Sequence, residues 1–288
     1  MTDGAPAPHR LAWSGRQDSS HLRHCVIVAP RIFLPEPLAP EAMVALPIAA
    51  VRHVQALRLQ AGDAITLFNG DDDTEWPGAI VEADRGRIVV RVGAARSVAR
   101  ELAVEATLAI GVPANDRMDA LVEKAGELGA AAIQPLLCTR SVLRLAGERA
   151  EARRRHWQAI AASASEQCGR ARVTAVLPIV PLAQWLDADD AAGADTRIVL
   201  SFEPSAIAPE QALAAHAGGE TQRRARIVVL SGPEGGLAPA EEAAAVARGF
   251  VRVGLGPRVL RADTAPLAWL AWLAVRSVRC DSRVKPAA

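Results

Sequence analysis

Two glycine-rich stretches near the C-terminus leave this chain few architectures. The first, Leu230-Ser231-Gly232-Pro233-Glu234-Gly235-Gly236, ends the apolar run RIVVL. The second, Leu255-Gly256-Pro257-Arg258-Val259-Leu260-Arg261-Ala262-Asp263-Thr264, follows FVRVG. Short branched runs without polar alternation are the pattern of strands buried on both faces of a parallel sheet. Each stretch then leads into a helix signal: Pro239 with Glu241 and Glu242, and Thr264 with Pro266. Both are therefore expected to be strand-to-helix loops at the carboxyl edge of a sheet, where open α/β folds bind ligands. Glycine allows a ligand close to the backbone, so main-chain groups would do the holding. Neither stretch matches G-x-x-x-x-G-K-[ST], G-x-G-x-x-G or G-x-S-x-G, which excludes phosphate-loop, dinucleotide and hydrolase-elbow readings.

Upstream, strands and helices alternate. VEATLAIGV, AAIQPLL, RIVLSF, RIVVLS and FVRVGL read as strands. RMDALVEKAGEL reads as a helix with Leu121, Val122, Ala125 and Leu128 on one face and Gly129 as its stop. Further helices are expected over 148–168, over 239–248 and from Thr264. This makes 98–281 an α/β domain, with 282–288 a tail. Residues 21–97 carry a different pattern. CVIVA, RIFL, AITLFNG, AIVEA and GRIVVRV are short strands, ALPIAAVRHVQALRL is a short helix, and DDDTEWPG reads as a hairpin-like loop. Several short strands in this span suggest a small barrel. Residues 1–20, polar and rich in small side chains, read as a loose extension.

With half of its 288 residues hydrophobic, the chain can bury a sizeable core. Net charge is +1, so no global basic field marks a nucleic-acid partner. Distribution says more. Of 33 basic side chains only Lys124 and Lys285 are lysine, and arginine forks suit phosphates and base edges. Compositional bias explains the same numbers. Cys25, Cys138, Cys168 and Cys280 form no C-x-x-C pair and have no zinc-like His spacing, so no metal is expected and the thiols read as reduced. No signal peptide is legible at the N-terminus. The longest apolar stretch, APLAWLAWLAV, is too short for a bilayer span, so no membrane partner and a cytoplasmic location are expected.

GPEGG followed by LGPRVLRADTA resembles the C-terminal signature of the ribosomal RNA small-subunit methyltransferase E family, within the SPOUT superfamily. HVQALRLQAGD at 53–63, RMDALVEKAGELGAAAIQPLLCTRS at 117–141 and HWQAIAASASEQCGRARV at 156–173 are similar to further motifs of that family. The resemblance implies a PUA-like β-barrel followed by a SPOUT α/β domain with a trefoil knot. It implies a homodimer with its active site at the interface. It further implies S-adenosyl-L-methionine (SAM) held by three loops. Carried onto this chain, these are Leu200, Ser201, Phe202 and Glu203; Ser231, Gly232, Pro233, Glu234, Gly235 and Gly236; and Leu255, Gly256, Arg258, Val259, Leu260 and Arg261, with Thr264 beyond. The implied substrate is a uridine N3 in 16S rRNA of the small ribosomal subunit. The chain departs from the family pattern at Ala114, where lysine is common, at Asp263, where glutamate is usual, and at Ala238, where a Ser or Thr cap is common.

Methylating uracil N3 requires loss of its proton, so a base or an anion-stabilising charge must stand nearby. Candidates are Glu234, Asp263, Arg258 and Arg261. Three have a second reading: Glu234 caps the following helix or bonds backbone N–H groups, Asp263 caps the last helix, and Arg261 pairs structurally. For RNA, the candidates are Arg23, Arg31, Arg52, His53 and Arg58 in the barrel and Arg140, Arg170 and Arg172 beyond it. His53 equally suits a partly buried site, and Arg149 to Arg155 suit a solvated helix face paired with Glu151. Trp269, Leu270, Trp272, Leu273 and Val275 make the last helix the expected dimer face. An RNA-binding or assembly protein on the same fold, or a SPOUT enzyme with another RNA target, stays open.

Overall fold

The computed structural model describes residues 29–114, 117–188, 191, 193–214 and 224–277. The expected extension over 1–20, the CVIV part of the first strand candidate, Arg23 and the tail lie outside them. The elements are β1 (Arg31–Phe33), β2 (Met43–Ala45), α1 (Ile48–Ala56), β3 (Ala64–Phe68), β4 (Thr74–Ala83), β5 (Ile88–Val92) and β6 (Arg96–Ser97). There follow β7 (Val104–Gly111), α2 (Arg117–Glu127), β8 (Ala132–Leu137), α3 (Gly147–Cys168), β9 (Ala175–Val176), β10 (Val180–Pro181) and α4 (Leu182–Asp187). The chain continues through β11 (Thr196–Leu200), α5 (Pro209–Ala214), β12 (Ala225–Ser231), α6 (Pro239–Ala247), β13 (Val251–Val253) and α7 (Thr264–Ser277).

The first sheet runs β1-β3-β4-β5-β2, with β6 added to β4. Its core is Ile32, Ile65, Leu67, Ile80, Val90 and Val92, with Val51 and Val54 of α1 packed in. The DDDTEWPG reading needs correction here: Thr74 to Gly78 belong to β4. Pro77 is tolerated because β5 pairs with β4 only from Gly78 onward, so the missing N–H breaks no ladder there.

The second sheet is parallel, ordered β10-β8-β7-β12-β11-β13, with β9 beside β8. The apolar run of β12 explains itself: Ile227 and Val229 pack on one face with α2, α3 and α7, while Val228 and Leu230 pack on the other with α4 and α6. Gly129, at φ 93°, ends the α2 turn as expected. β12 enters between β7 and β11, and α7 returns across the sheet to bury Trp269, Leu270 and Leu273 in the same core as Leu108 and Leu121. Of the five side chains expected at a dimer face, these three enter the chain's own core, while Trp272 is partly buried and Val275 is 75% exposed.

Ion pairs join the two sheets. Glu75 is fully buried and is met by Arg31, Arg96 and Arg100. Arg31 also donates to the carbonyl of Arg170, and Arg100 to that of Gly169. Arg170 is itself buried against Glu101, with further bonds to the carbonyls of Gly126 and Ala130. Asp73 accepts from Arg172 and Arg224, both at 2.8 Å. Burial pushes the Glu75 carboxyl up, but Arg31 and Arg100 outweigh it and hold it below the usual range. The same balance, with Arg172 and Arg224, holds Asp73 low.

Candidate active site

A cleft of about 420 Å³ opens at the carboxyl edge of the second sheet, where β11, β12 and β13 end. The two glycine loops and the loop after β11 surround it. Leu200, Ser201, Phe202, Glu203, Ser231, Gly232, Pro233, Glu234, Gly235, Gly236, Leu255, Arg258, Val259 and Leu260 line it. Gly256, Arg261 and Thr264, also expected around the cofactor, are not in the lining, although Ala262 and Ala265 beside them are. The lining residues not anticipated are Ala262, Ala265, Arg140 in this role, Leu237, Glu242 and Val253.

The first glycine loop is tight for a physical reason. A Cβ on Gly232 would lie 2.6 Å from the Leu237 backbone nitrogen and 2.7 Å from the Gly236 carbonyl carbon. Gly236 sits at φ 69° with open space where a side chain would point. Around this loop, side chains from neighbouring segments act as clamps. Arg140 donates to the carbonyls of Gly235 (2.8 Å) and Leu237 (3.2 Å). Glu241 accepts from the Ala238 N–H at 2.8 Å and from the N–H of Thr139 at 2.7 Å. The Ala238 cap position therefore keeps the reciprocal half of a capping box despite its missing hydroxyl. Burial, reinforced by the Glu241 charge, pushes the Cys138 thiol behind this loop up to about 12, so it stays protonated at neutral pH.

Among the acid candidates, Glu234 accepts from the Ala114 N–H at 2.9 Å and lies 3.5 Å from Arg117. It ties the glycine loop to the segment after β7. Asp263 stands just before α7, and its buried Oδ1 makes no hydrogen bond among the described residues, so no cap bond is formed through that oxygen. Arg258 and Arg261 are exposed and enter no ion pair among the described residues.

The RNA candidates part company. Arg31 and Arg170 are corrections: at 8% and 4% exposure, and already bonded to carboxylates and carbonyls, neither can reach a phosphate. Arg172 is held by Asp73, and Arg140 by the glycine loop. His53, half-exposed, lies 3.8 Å from Glu166. Burial pushes Glu166 upward, and its other oxygen takes the Phe33 N–H. Arg52 and Arg58 remain exposed on and just after α1, and Arg23 lies outside the described residues.

Among the described residues no group of three or more His, Cys, Asp or Glu could hold a metal. No helix there is long and apolar enough to cross a membrane.

Comparison with known proteins agrees with this geometry. Residues 100–274 match the family model described as an RNA methyltransferase domain, and residues 49–93 that of an RNA methyltransferase PUA domain. The ribosomal RNA small subunit methyltransferase E of Bacillus subtilis is 30% identical over 75% of this chain and 84% of its own length. That of Synechocystis is 32% identical over 78% and 71%. The Neisseria gonorrhoeae enzyme of the same name, solved with S-adenosyl methionine, is 34% identical, covers 86% of this chain and 98% of its own, and superposes with a TM-score of 0.75. A Legionella pneumophila protein solved with SAM is 28% identical over 86% and 98%, at a TM-score of 0.77. The second domain is thus of the SPOUT α/β-knot class and the first PUA-like. Family models on both sheets and relatives matched along most of their length leave one conclusion: the chain belongs to the ribosomal RNA small subunit methyltransferase E family of RNA methyltransferases.

Proposed function

We propose that this chain transfers the methyl group of SAM to N3 of a uridine in 16S rRNA of the small ribosomal subunit, in the cytoplasm. The observation that carries the reading is the cleft itself. Two glycine loops and the loop after β11 face one another there, beside two arginines that enter no ion pair among the described residues. The site suits SAM. Gly232 lets the loop fold tightly on itself, Gly236 leaves its side-chain direction open, and Leu200, Leu237, Leu255 and Leu260 offer apolar contact for an adenine. When bound, SAM supplies the electrophilic methyl on its sulfonium.

The chain's own groups handle the rest. Arg258 lines the cleft and Arg261 stands in the chain between the lining residues Leu260 and Ala262, so either guanidinium is a candidate to stabilise the negative charge that uracil oxygens gain when N3 is deprotonated. Of the two carboxylates Glu234 lines the cleft, held there by the Ala114 N–H and Arg117, whereas Asp263 lies outside the lining with its unbonded oxygen buried, so Glu234 is the better placed acceptor for the proton. Arg52 and Arg58 are exposed cations of the first domain, suited to phosphates.

The decisive test is methylation of small subunits lacking the modification, with labelled SAM and mass mapping of the RNA. Label at a uridine N3 is expected; label on a ribose, another base or nothing overturns the reading. The proposed assembly is a homodimer, supported by Val259 and Phe202, 83% and 69% exposed at the cleft mouth. Light scattering at micromolar concentration should give twice the chain mass, and a monomer rules the dimer out.

A further inference from the structure

We propose that Glu242 is a cofactor-contacting residue that accepts hydrogen bonds from the ribose hydroxyls of the bound nucleoside. The inference rests on the reading that the cleft takes SAM. Glu242 stands in the first turn of α6, just past the glycine loop, and lines the cleft. Its Oε1 accepts from Ser201 Oγ at 2.8 Å and from Arg252 Nε at 2.6 Å. Ser201 Oγ in turn accepts from the Glu203 N–H at 3.1 Å. One carboxylate oxygen therefore joins the segments that carry all three cleft loops. Its Oε2 makes no hydrogen bond among the described residues, and the side chain retains 18% exposure.

A carboxylate held this way offers a fixed acceptor to a ligand in the cleft. The donors on SAM are the ribose diol, the adenine amino group and the methionine ammonium. Arg252 already neutralises Glu242, so a second cation gains little from it, while a neutral diol needs an acceptor and gains in full. Carboxylates recognise ribose hydroxyls in other nucleotide sites by the same chemistry.

Calorimetry on the full chain, with S-adenosylhomocysteine and its 2′-deoxy and 3′-deoxy analogues, tests this. The wild-type chain should bind at least one deoxy analogue about tenfold or more weakly, the range of a hydrogen bond to a charged group. Glu242→Ala should bind S-adenosylhomocysteine about as weakly as the wild type binds that analogue, with the preference gone. Glu242→Gln, which keeps the shape, should show a reduced preference, and melting curves confirm that each variant is folded. A role confined to bracing the loops weakens all ligands equally and leaves the preference intact. A variant that keeps the wild-type preference, or a wild type that shows none, overturns the proposal. A wild type that binds none of these ligands removes the cofactor reading as well.

Discussion

Arginine meets two fates in this molecule. At the seam between the sheets, Arg31 and Arg170 are buried and bonded to Glu75, Glu101 and main-chain carbonyls. At the cleft, Arg258 and Arg261 are exposed and unpaired among the described residues. The seam uses guanidinium as a multi-armed brace whose charge is cancelled on the spot. The cleft keeps the same group uncompensated, ready for charge that arises only in a reaction. Composition cannot separate the two, because the difference lies in whether a carboxylate arrives from elsewhere in the chain.

The largest effect is expected at the seam. Glu75→Ala strands Arg31 in the interior and should lower unfolding stability by about 3–5 kcal/mol, read by denaturant melts. A loss under about 1 kcal/mol would make the seam equivalent to a surface network. Next comes the cleft. Arg261→Ala should cut turnover about 100- to 1000-fold while melting temperature, SAM affinity and RNA affinity stay near wild type. If melting falls instead, Arg261 belongs with the braces.

Acid sharpens the contrast further. Glu75 and Asp73 have folded values below their ordinary 4.5 and 3.8. Their contribution is present above those values and is lost as pH falls through the lower folded ones. Glu166, held high, works the opposite way: its contribution is present in acid and is lost as pH rises through its folded value. Melting temperature should therefore fall below about pH 4.5, and Glu75→Gln should flatten that fall. A wild type that melts alike at pH 3 and 6 breaks the assignment. The smallest effect concerns Arg52 and Arg58. Replacing both should reduce the slope of log affinity for RNA against log salt by up to about 0.9 for each phosphate no longer neutralised. Arg58→Gly is the cleaner change, since Arg58 sits at φ 58° just after α1, where glycine is at ease. An unchanged slope moves RNA binding away from α1.

The glycine loops were legible because glycine between a buried strand and a helix has few other uses. Long periodic helices such as α2 and α3 were legible for the same reason of strong pattern. The short helices α4 and α5 were not, with six residues each and too little period to show. Arg31 could not be distinguished from Arg58 in sequence, because Glu75 is a distant residue brought alongside by β4. Glu242 read as an ordinary first-turn acid, and only the fold sets it against Ser201 and Arg252. The apolar content of the last helix did not show which side chains the core takes, since the sequence does not say that α7 crosses back over β7 and β12.

The strand order also sets a timetable for synthesis. Val104 of β7 waits beside an empty place until Ala225 of β12 is made, and β11 waits on the other side. A nascent chain carrying β7 to β11 therefore leaves one edge of β7 and both edges of β11 unpaired, because β12 and β13 are still to come. Every stalled or prematurely ended product shorter than β12 keeps those edges open and lacks the first glycine loop as well. Such fragments are candidates for aggregation and for chaperone capture. Only a polypeptide made past Ala265 can present the whole lining of the cleft.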